Sequence, residues 1–324
     1  MQTFLGVDGG GTQTRFVLID ETGRMLASHR EGPAYYLEIG LDGLREMLTR
    51  GIAHTLREGH VREEALSRAF LGLPAYGEDS SLLPDLDDAP VQALPHRRYS
   101  CGNDMVCGWA GALAGADGIN IVSGTGSIAY GEFAGGNARA GGWGELFSDE
   151  GSSYWLAREG LRLFSRMSDG RSPRGPLYGH VRRHFALASD LDLCAAIYGK
   201  IAAQRSQFAQ LSRLVIAAGK DGDPAALELL QNAARELADI VDAVRHQLPI
   251  PAEAAIPVSS SGGMFQPENG LRELFEPELQ RRCTRYRFAA ARLPPDLGAA
   301  IQAARLNGTP LSAASLEALA PAMK

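Results

Sequence analysis

The sequence predicts an α/β protein with about two domains. Two glycine-rich turns, at residues 9–11 and 124–126, each lie between two strand-like apolar runs. Segments with helical periodicity alternate with further strand-like runs along the rest of the chain. The chain has 324 residues, 45% of them hydrophobic, which is enough to build more than one core. We therefore expect each glycine turn to begin a domain.

The first part of the chain begins with strands and then alternates with helices. Strand signals at 3–8 and 14–20 flank the first glycine turn. A helix near 41–58 is predicted by an apolar stripe at helical spacing, formed by Leu41, Leu44, Met47, Leu48, Ile52 and Leu56. The next predicted elements are a buried strand at 69–74, a polar loop with a short strand at 77–96, and a Gly/Ala-rich helix at 105–115.

After the second glycine turn, the pattern is mainly helical. Predicted helices lie near 152–167, 190–219 and 224–248. The last is the clearest, because Asp223 is an N-cap residue and Pro224 suits the first helical position. The remaining predicted elements are a buried strand at 256–260, a small-residue turn at 259–265, a helix at 270–275 and a final helix at 296–307.

Both glycine turns are predicted to be tips of β-hairpins. A Walker loop or a dinucleotide fingerprint needs its glycines to open a helix, whereas extended runs follow both turns here. Glycine lets backbone N–H groups turn inward to bind an anion, and nearby hydroxyls add donors: Thr12, Thr14, Thr125 and Ser127. One such turn alone is equally well explained as an ordinary hairpin. Two of them, with Asp8 in the first, indicate a clamp for nucleoside triphosphate phosphates.

Composition excludes several classes of partner. The net charge is −6 and no basic cluster exceeds a short pair, which argues against a nucleic-acid surface. No apolar run reaches membrane-spanning length, and no charged leader precedes the first strand. We expect a soluble, cytoplasmic protein that binds neither nucleic acid nor membrane. The four cysteines have no Cys-x-x-Cys spacing and are expected to be reduced thiols.

Five segments carry a family resemblance. In order, they are GVDGGGTQT, CGNDM, NIVSGTGSIA, GGWGELFSDEGSSYWLA and SSSGGMF. This order resembles the BadF/BadG/BcrA/BcrD-type ATPases and N-acetylglucosamine kinases, within the actin, sugar kinase and heat-shock ATPase superfamily. The resemblance implies two ribonuclease H-like (actin-like) lobes around a central cleft, each a mixed β-sheet with flanking helices. The N-terminal lobe would comprise 1–116 and 294–324, so that the C-terminal helix returns to it, and the C-terminal lobe 117–293.

The same resemblance implies a site for Mg²⁺ and ATP. Asp8 would hold Mg²⁺ through water, because phosphate-bound magnesium keeps several waters and only one or two carboxylates. The expected phosphate contacts come from both hairpins: Gly10, Gly11, Thr12, Gln13, Thr125 and Gly126. Gly262 and Gly263 would form the adenosine turn, where absent side chains let the nucleotide lie against the backbone. A routine turn between a strand and a helix would explain these two glycines equally well.

Asp104 is the expected general base. Phosphoryl transfer leaves the protein mainly positioning, charge neutralisation and one acceptor for the proton of the attacking hydroxyl. The alternative is that Asp104 only caps the helix that follows it. Its position in a matching family motif favours the catalytic interpretation.

The segment 141–155 is the expected sugar site. By resemblance, Gly142 and Gly144 let the backbone approach the ligand, Trp143 lies alongside it, and Asp149 accepts hydrogen bonds from its hydroxyls. Ser127 is a further expected sugar contact. The alternative is a loop that caps the next helix, with Asp149 and Glu150 near its positive end and Trp155 in the core.

Tyr35 departs from the family pattern. Members that resemble this chain often have an asparagine there, which contacts the amino sugar. A phenol cannot reproduce both the donor and the acceptor of a carboxamide. The identity of the sugar and of its phosphorylated hydroxyl therefore stays open.

The favoured function is ATP-dependent phosphorylation of a hydroxyl on an amino sugar, N-acetylglucosamine or glucosamine. One alternative is an ATPase activator of a radical dehydratase or reductase, which needs cysteines for an iron–sulfur cluster. The other is a non-catalytic sugar or nucleotide sensor. The expected partner is a small-molecule sugar, and a homodimer is expected only by resemblance.

Overall fold

The computed structural model describes residues 1–201 and 204–320, which form two compact units. The first comprises Met1–Asp117 and the described residues from Ala290 onward, and the second comprises Gly118–Ala289. Each unit contains a five-stranded mixed sheet with helices packed against it. The predicted α/β class with two mixed sheets is therefore confirmed.

Ten strands and twelve α-helices make up the regular structure of the described residues. In chain order the strands are β1 (Thr3–Asp8), β2 (Thr14–Asp20), β3 (Met25–Glu31), β4 (Arg68–Leu73), β5 (Tyr99–Asn103), β6 (Gly118–Ser123), β7 (Ser127–Phe133), β8 (Gly136–Gly141), β9 (Ile256–Ser261) and β10 (Tyr286–Ala289). The helices are α1 (Tyr36–Glu58), α2 (Leu83–Asp88), α3 (Met105–Ala112), α4 (Ser153–Ser168), α5 (Pro176–Phe185), α6 (Asp192–Ala196), α7 (Arg205–Ala209), α8 (Ser212–Lys220), α9 (Pro224–Gln247), α10 (Arg272–Arg282), α11 (Pro295–Leu306) and α12 (Ala313–Leu319).

The sheet of the first unit has the order β3-β2-β1-β4-β5. β1 and β2 form the predicted hairpin, and β1, β4 and β5 run parallel. The carboxyl ends of parallel strands meet at one edge of a sheet, which is where ligands bind in open α/β folds. In this register, Asp8 lies opposite Gly72 and Gly72 lies opposite Gly102. Asp8 and the residue that follows β5, Asp104, are therefore at the same edge.

Helix α11 packs against β1 and α3 within the first unit. Its approach is close enough to require glycine, because a Cβ added at Gly6 would lie 2.3 Å from the backbone nitrogen of Ala300. A Cβ at Gly298 would likewise lie 2.3 Å from the nitrogen of Gly111. Helix α11 is thus part of the first compact unit.

The sheet of the second unit has the order β8-β7-β6-β9-β10 and repeats the strand directions of the first. β6, β7 and β8 are antiparallel, while β6, β9 and β10 are parallel. Helix α9 packs on β6, β7 and β8. The predicted cap is present, because the Asp223 carboxylate accepts hydrogen bonds from the N–H groups of Ala225 and Ala226 at 3.0 and 3.3 Å.

Some sequence expectations were wrong in detail. The predicted helix at 190–219 is broken into α6, a π-helical turn at Ile197–Ile201, α7 and α8, with residues 202 and 203 outside the described part. The segment 77–96 contains no strand but a helix, α2, with proline in its first turn. Among the described helices, none is both long and apolar enough to cross a membrane.

Candidate active site

The first hairpin has an exposed tip, while the start of its turn is held by backbone hydrogen bonds. Gly11, Thr12 and Gln13 are exposed, whereas Asp8 at the end of β1 is partly buried. The Gly9 N–H donates to the Gly72 carbonyl at 2.8 Å, which holds the start of the turn against β4. The Gly10 carbonyl accepts from Ala34 at 3.0 Å. The turn is therefore anchored through its first two glycines, and its next three residues face solvent.

Acidic groups dominate the electrostatics around Asp8. Desolvation by the surrounding protein, together with the charges of Asp104 and Asp296, raises the pKa of Asp8 to about 8, while Arg15 opposes them. Among the described residues, no group of three or more potential ligands is spaced to hold a metal ion by itself.

Asp104 occupies the N-cap position of α3, but its side chain makes no capping hydrogen bond there. The side chain of Asn103 does this instead, since its Oδ1 accepts from the Met105 N–H at 3.1 Å. The capping function that offered an alternative interpretation of Asp104 therefore belongs to Asn103. Asn103 is not among the residues predicted above, although Asn is as good a capping residue as Asp.

Cys107 lies directly beneath this carboxylate edge. Its side chain is fully buried and its thiol donates weakly to the Val7 carbonyl at 3.7 Å. Burial raises the pKa of Cys107, and the charges of Asp8 and Asp104 act in the same direction. A Cβ at Gly72 would lie 2.2 Å from the sulfur. The thiol is therefore a packed, protonated group and not a nucleophile.

The second hairpin is tied to the 141–151 loop by its hydroxyl groups. The Ser123 hydroxyl donates to the Gly151 carbonyl at 2.9 Å, and the Ser127 hydroxyl donates to the Glu150 carbonyl at 2.6 Å. Ser127 is buried, and its only hydroxyl proton is used within the protein. A ligand could therefore donate a hydrogen bond to this hydroxyl oxygen but could not accept one from it.

A cavity of about 370 Å³ lies beside the second hairpin. Gly124 and Thr125 of the hairpin line it together with Gly263 and Met264. Further lining comes from α7, α8 and the segments next to them, through Ser206, Ala209, Gln210, Ser212, Arg213 and Ile216. The structure thus brings Thr125 and the predicted adenosine turn to one cavity.

The 141–151 loop has an unusual backbone and an apolar outer surface. Gly142 and Gly144 have positive φ angles of 68° and 100°, and Asp149 has a φ of 57°, which is uncommon outside glycine. Trp143, together with Leu146 and Phe147, is largely exposed. The loop does not cap α4 through its acidic residues. The Ser152 side chain caps that helix, and Trp155 packs against the core.

Three arginines hold this loop. Arg139 donates to the carbonyl of Gly142 at 2.9 Å, and Arg158 donates to the carbonyl of Glu145 at 3.2 Å. Arg205 pairs with both acidic side chains, Glu145 at 3.0 Å and Asp149 at 2.7 Å.

Asp149 is buried, which raises its pKa. Arg205 and a hydrogen bond from the Ser127 N–H lower the pKa, and the charge of Glu145 raises it. Its carboxylate therefore already has partners within the protein. Arg205 is not among the residues predicted above, since nothing in the sequence pattern joins two residues 56 positions apart.

Tyr35 lies next to the first hairpin. It is the N-cap residue of α1, with φ −75° and ψ 95° and no side-chain capping bond. The preceding residue, Ala34, donates its N–H to Gly10 of the hairpin. The departure from the family pattern therefore lies beside the predicted phosphate turn.

Comparison with known proteins gives consistent matches over nearly the whole chain. A family model described as the BadF/BadG/BcrA/BcrD ATPase family matches residues 5–303. The N-acetyl-D-glucosamine kinase of Dictyostelium discoideum is 26% identical over 93% of this chain and 98% of its own. The N-acetylmuramic acid/N-acetylglucosamine kinase of Clostridium acetobutylicum is 27% identical with the same coverage. A Chromobacterium violaceum protein of known structure, assigned as an N-acetylglucosamine kinase, has a TM-score of 0.73 and 27% identity, covering 94% of this chain and 99% of its own.

Proposed function

The chain belongs to the BadF/BadG/BcrA/BcrD ATPase family, and from this premise we propose that it is an ATP-dependent sugar kinase. Its substrate would be an amino sugar, N-acetylglucosamine or glucosamine, phosphorylated on a hydroxyl. This proposal is supported by relatives that are named as kinases of such sugars and that match this chain over nearly their full length. The observation that carries it is Asp104, which lies at the sheet edge where Asp8 ends β1 and does not cap its helix.

Asp104 acts as the general base in this proposal. The attacking hydroxyl oxygen forms a bond to the γ-phosphorus while the bond to the bridging oxygen of ADP breaks. The proton of the hydroxyl passes to the Asp104 carboxylate. A side chain that caps a helix accepts a hydrogen bond from a backbone N–H group. At the start of α3 this acceptor is Asn103, so the Asp104 carboxylate is not used for capping.

The first hairpin and the adenosine turn would bind Mg-ATP. Asp8 would hold Mg²⁺ through water, and the ion would neutralise charge on the β- and γ-phosphates. The proposed phosphate contacts are those of the two hairpins: Gly10, Gly11, Thr12, Gln13, Thr125 and Gly126. The exposed first tip and the cavity beside Thr125 support them. Gly262 and Gly263 would lie against the adenosine, since Gly263 lines the same cavity.

The 141–151 loop would bind the sugar. Gly142, Trp143, Gly144 and Asp149 are the proposed contacts, with Ser127 and Tyr35 from neighbouring segments. The exposed indole of Trp143 and the left-handed backbone at its neighbouring glycines support this. Because Asp149 is buried and already bonded, it would accept a sugar hydroxyl with its remaining acceptor capacity.

A coupled ADP-release assay tests the proposal. Mg-ATP would be offered with N-acetylglucosamine, glucosamine, N-acetylmuramic acid, N-acetylmannosamine or glucose, and with no sugar. We expect release that depends on one of the first two sugars. Sugar-independent hydrolysis would favour an activator ATPase, and no hydrolysis at all would favour a sensor. An Asp104→Asn variant that kept its turnover would refute the assignment of the base.

A further inference from the structure

Arg205 is the first residue of α7 and forms ion pairs with two carboxylates of the 141–151 loop. Its Nη2 lies 2.7 Å from Asp149 Oδ2 and its Nε lies 3.0 Å from Glu145 Oε2. The two acids differ in access, because the Asp149 side chain is 3% exposed and the Glu145 side chain is 30% exposed. One guanidinium thus orients a buried and a more accessible acceptor of the same loop.

The Arg205–Asp149 pair also packs on the second hairpin. A Cβ at Gly126 would lie 2.7 Å from Asp149 Oδ2 and 2.9 Å from Arg205 Nη2. The Ser127 N–H donates to the same Asp149 carboxylate. The tip of the hairpin, the loop and the start of α7 therefore meet at one guanidinium.

The positive charge of Arg205 is more than offset by its two acidic partners. Two carboxylates lie within ion-pair distance, so that the group of Arg205, Asp149 and Glu145 carries a net negative charge. A guanidinium in this state is poorly suited to neutralise a transferring phosphoryl group. It is well suited to hold acceptors rigidly, because its planar donors fix two carboxylates at once.

We propose that Arg205 is a positioning residue for the acceptor sugar, which fixes Asp149 and Glu145 so that their oxygens receive sugar hydroxyls. Glu145 becomes a further sugar contact, and it is the more accessible of the two. The inference rests on the proposed function and adds two residues to its sugar site. Arg205 acts through the two carboxylates and does not touch the reacting atoms.

Steady-state kinetics of Arg205→Gln with N-acetylglucosamine, glucosamine and Mg-ATP test this proposal. The KM for the sugar should rise about tenfold or more, because a charge-assisted contact is lost and a buried carboxylate is left without its cation. The kcat and the KM for ATP should stay within about twofold of the wild type. Arg205→Lys should recover part of the sugar affinity, since it keeps the charge without the planar fork.

Arg162→Gln is the matched control, because the Arg162 side chain is 68% exposed, pairs with Glu159 on α4 and touches neither Asp149 nor Glu145. The pH profile gives a second readout. Without Arg205, the pKa of Asp149 should rise, since Arg205 lowers it while Glu145 raises it. The acidic limb of kcat/KM for the sugar should then move to higher pH in Arg205→Gln and stay in place in the control.

Three results would overturn the inference. A kcat loss with unchanged sugar KM would mean that Arg205 acts on the phosphoryl group. If Arg205→Gln had the same kinetics as Arg162→Gln, Arg205 would have no role in sugar binding. A joint loss of sugar affinity, ATP affinity and thermal stability in both the Gln and the Lys variants would mean a structural role. A wild type without sugar-dependent turnover would instead refute the proposed function itself.

Discussion

Gly262→Ala should distort the proposed adenosine turn. Gly262 has φ 99° and ψ 164°, a region that only glycine occupies readily. A Cβ there would lie 2.3 Å from the carbonyl oxygen of Ser123, which is backbone and cannot rotate away. Backbone strain of about 1–3 kcal/mol and overpacking of about 1–3 kcal/mol predict a loss near 3 kcal/mol or more. For a unit of this size, that lowers the melting temperature by roughly 6–12 °C.

Gly263→Ala is the matched control. A Cβ at Gly263 meets no heavy atom within 4 Å, and its φ is not in the left-handed region. Its stability should change by less than about 0.5 kcal/mol. Thermal unfolding followed by circular dichroism would compare the two variants, and calorimetry with Mg-ADP would compare binding by Gly262→Ala with binding by the wild type. Because Ser123 leads into Gly124 and Thr125 of the cavity, Gly262→Ala should also weaken ADP binding. Equal melting temperatures for the two variants would refute this reasoning.

Asp104→Asn should lower kcat by about 10²-fold or more while ADP and sugar still bind in calorimetry; loss of binding would point to a structural role. Asp223→Ala should destabilise the protein by about 3 kcal/mol in urea unfolding, because this buried carboxylate accepts from the N–H groups of Leu177, Ala225 and Ala226. Asp223→Asn keeps an acceptor and should recover much of that loss; equal destabilisation would contradict the cap. Tyr35→Asn should stabilise α1 slightly as a better N-cap and lower the KM for N-acetylglucosamine relative to glucosamine; an unchanged ratio of the two KM values would mean that Tyr35 does not face the sugar.

The hairpins could be predicted because their strands are buried on one or both sides. In β1 and β2, nearly every position is buried, and the apolar runs are visible in the sequence. In β3, Ala27 alone is buried, so the strand has no long apolar run and is held by its pairing with β2 and by its packing against α1. β8 is similar, since its sequence GNARAG has a single buried residue. Edge strands of this kind pair through main-chain hydrogen bonds, which the amino-acid composition of the strand does not reveal.

The candidate site likewise contains residues that could be predicted from the sequence and residues that could not. Residues inside the glycine turns could be named because their spacing is local. Asn103 and Asp104 are adjacent acceptors, and the sequence does not tell which of them reaches the Met105 N–H. Arg205 lies in a helix of five residues, and its partners precede it by 56 and 60 positions. Only the folded chain brings such groups together.

The two hairpins have the same topology but different chemistry. Asp8 ends β1 and Ser123 ends β6, at corresponding places in two sheets of the same order. Asp8 is a carboxylate whose neighbours Asp104 and Asp296 favour a cation beside it. Ser123 is neutral and uses its hydroxyl to bind the 141–151 loop. We therefore expect the metal to belong to the first hairpin alone, while the second contributes backbone donors and anchors the proposed sugar loop.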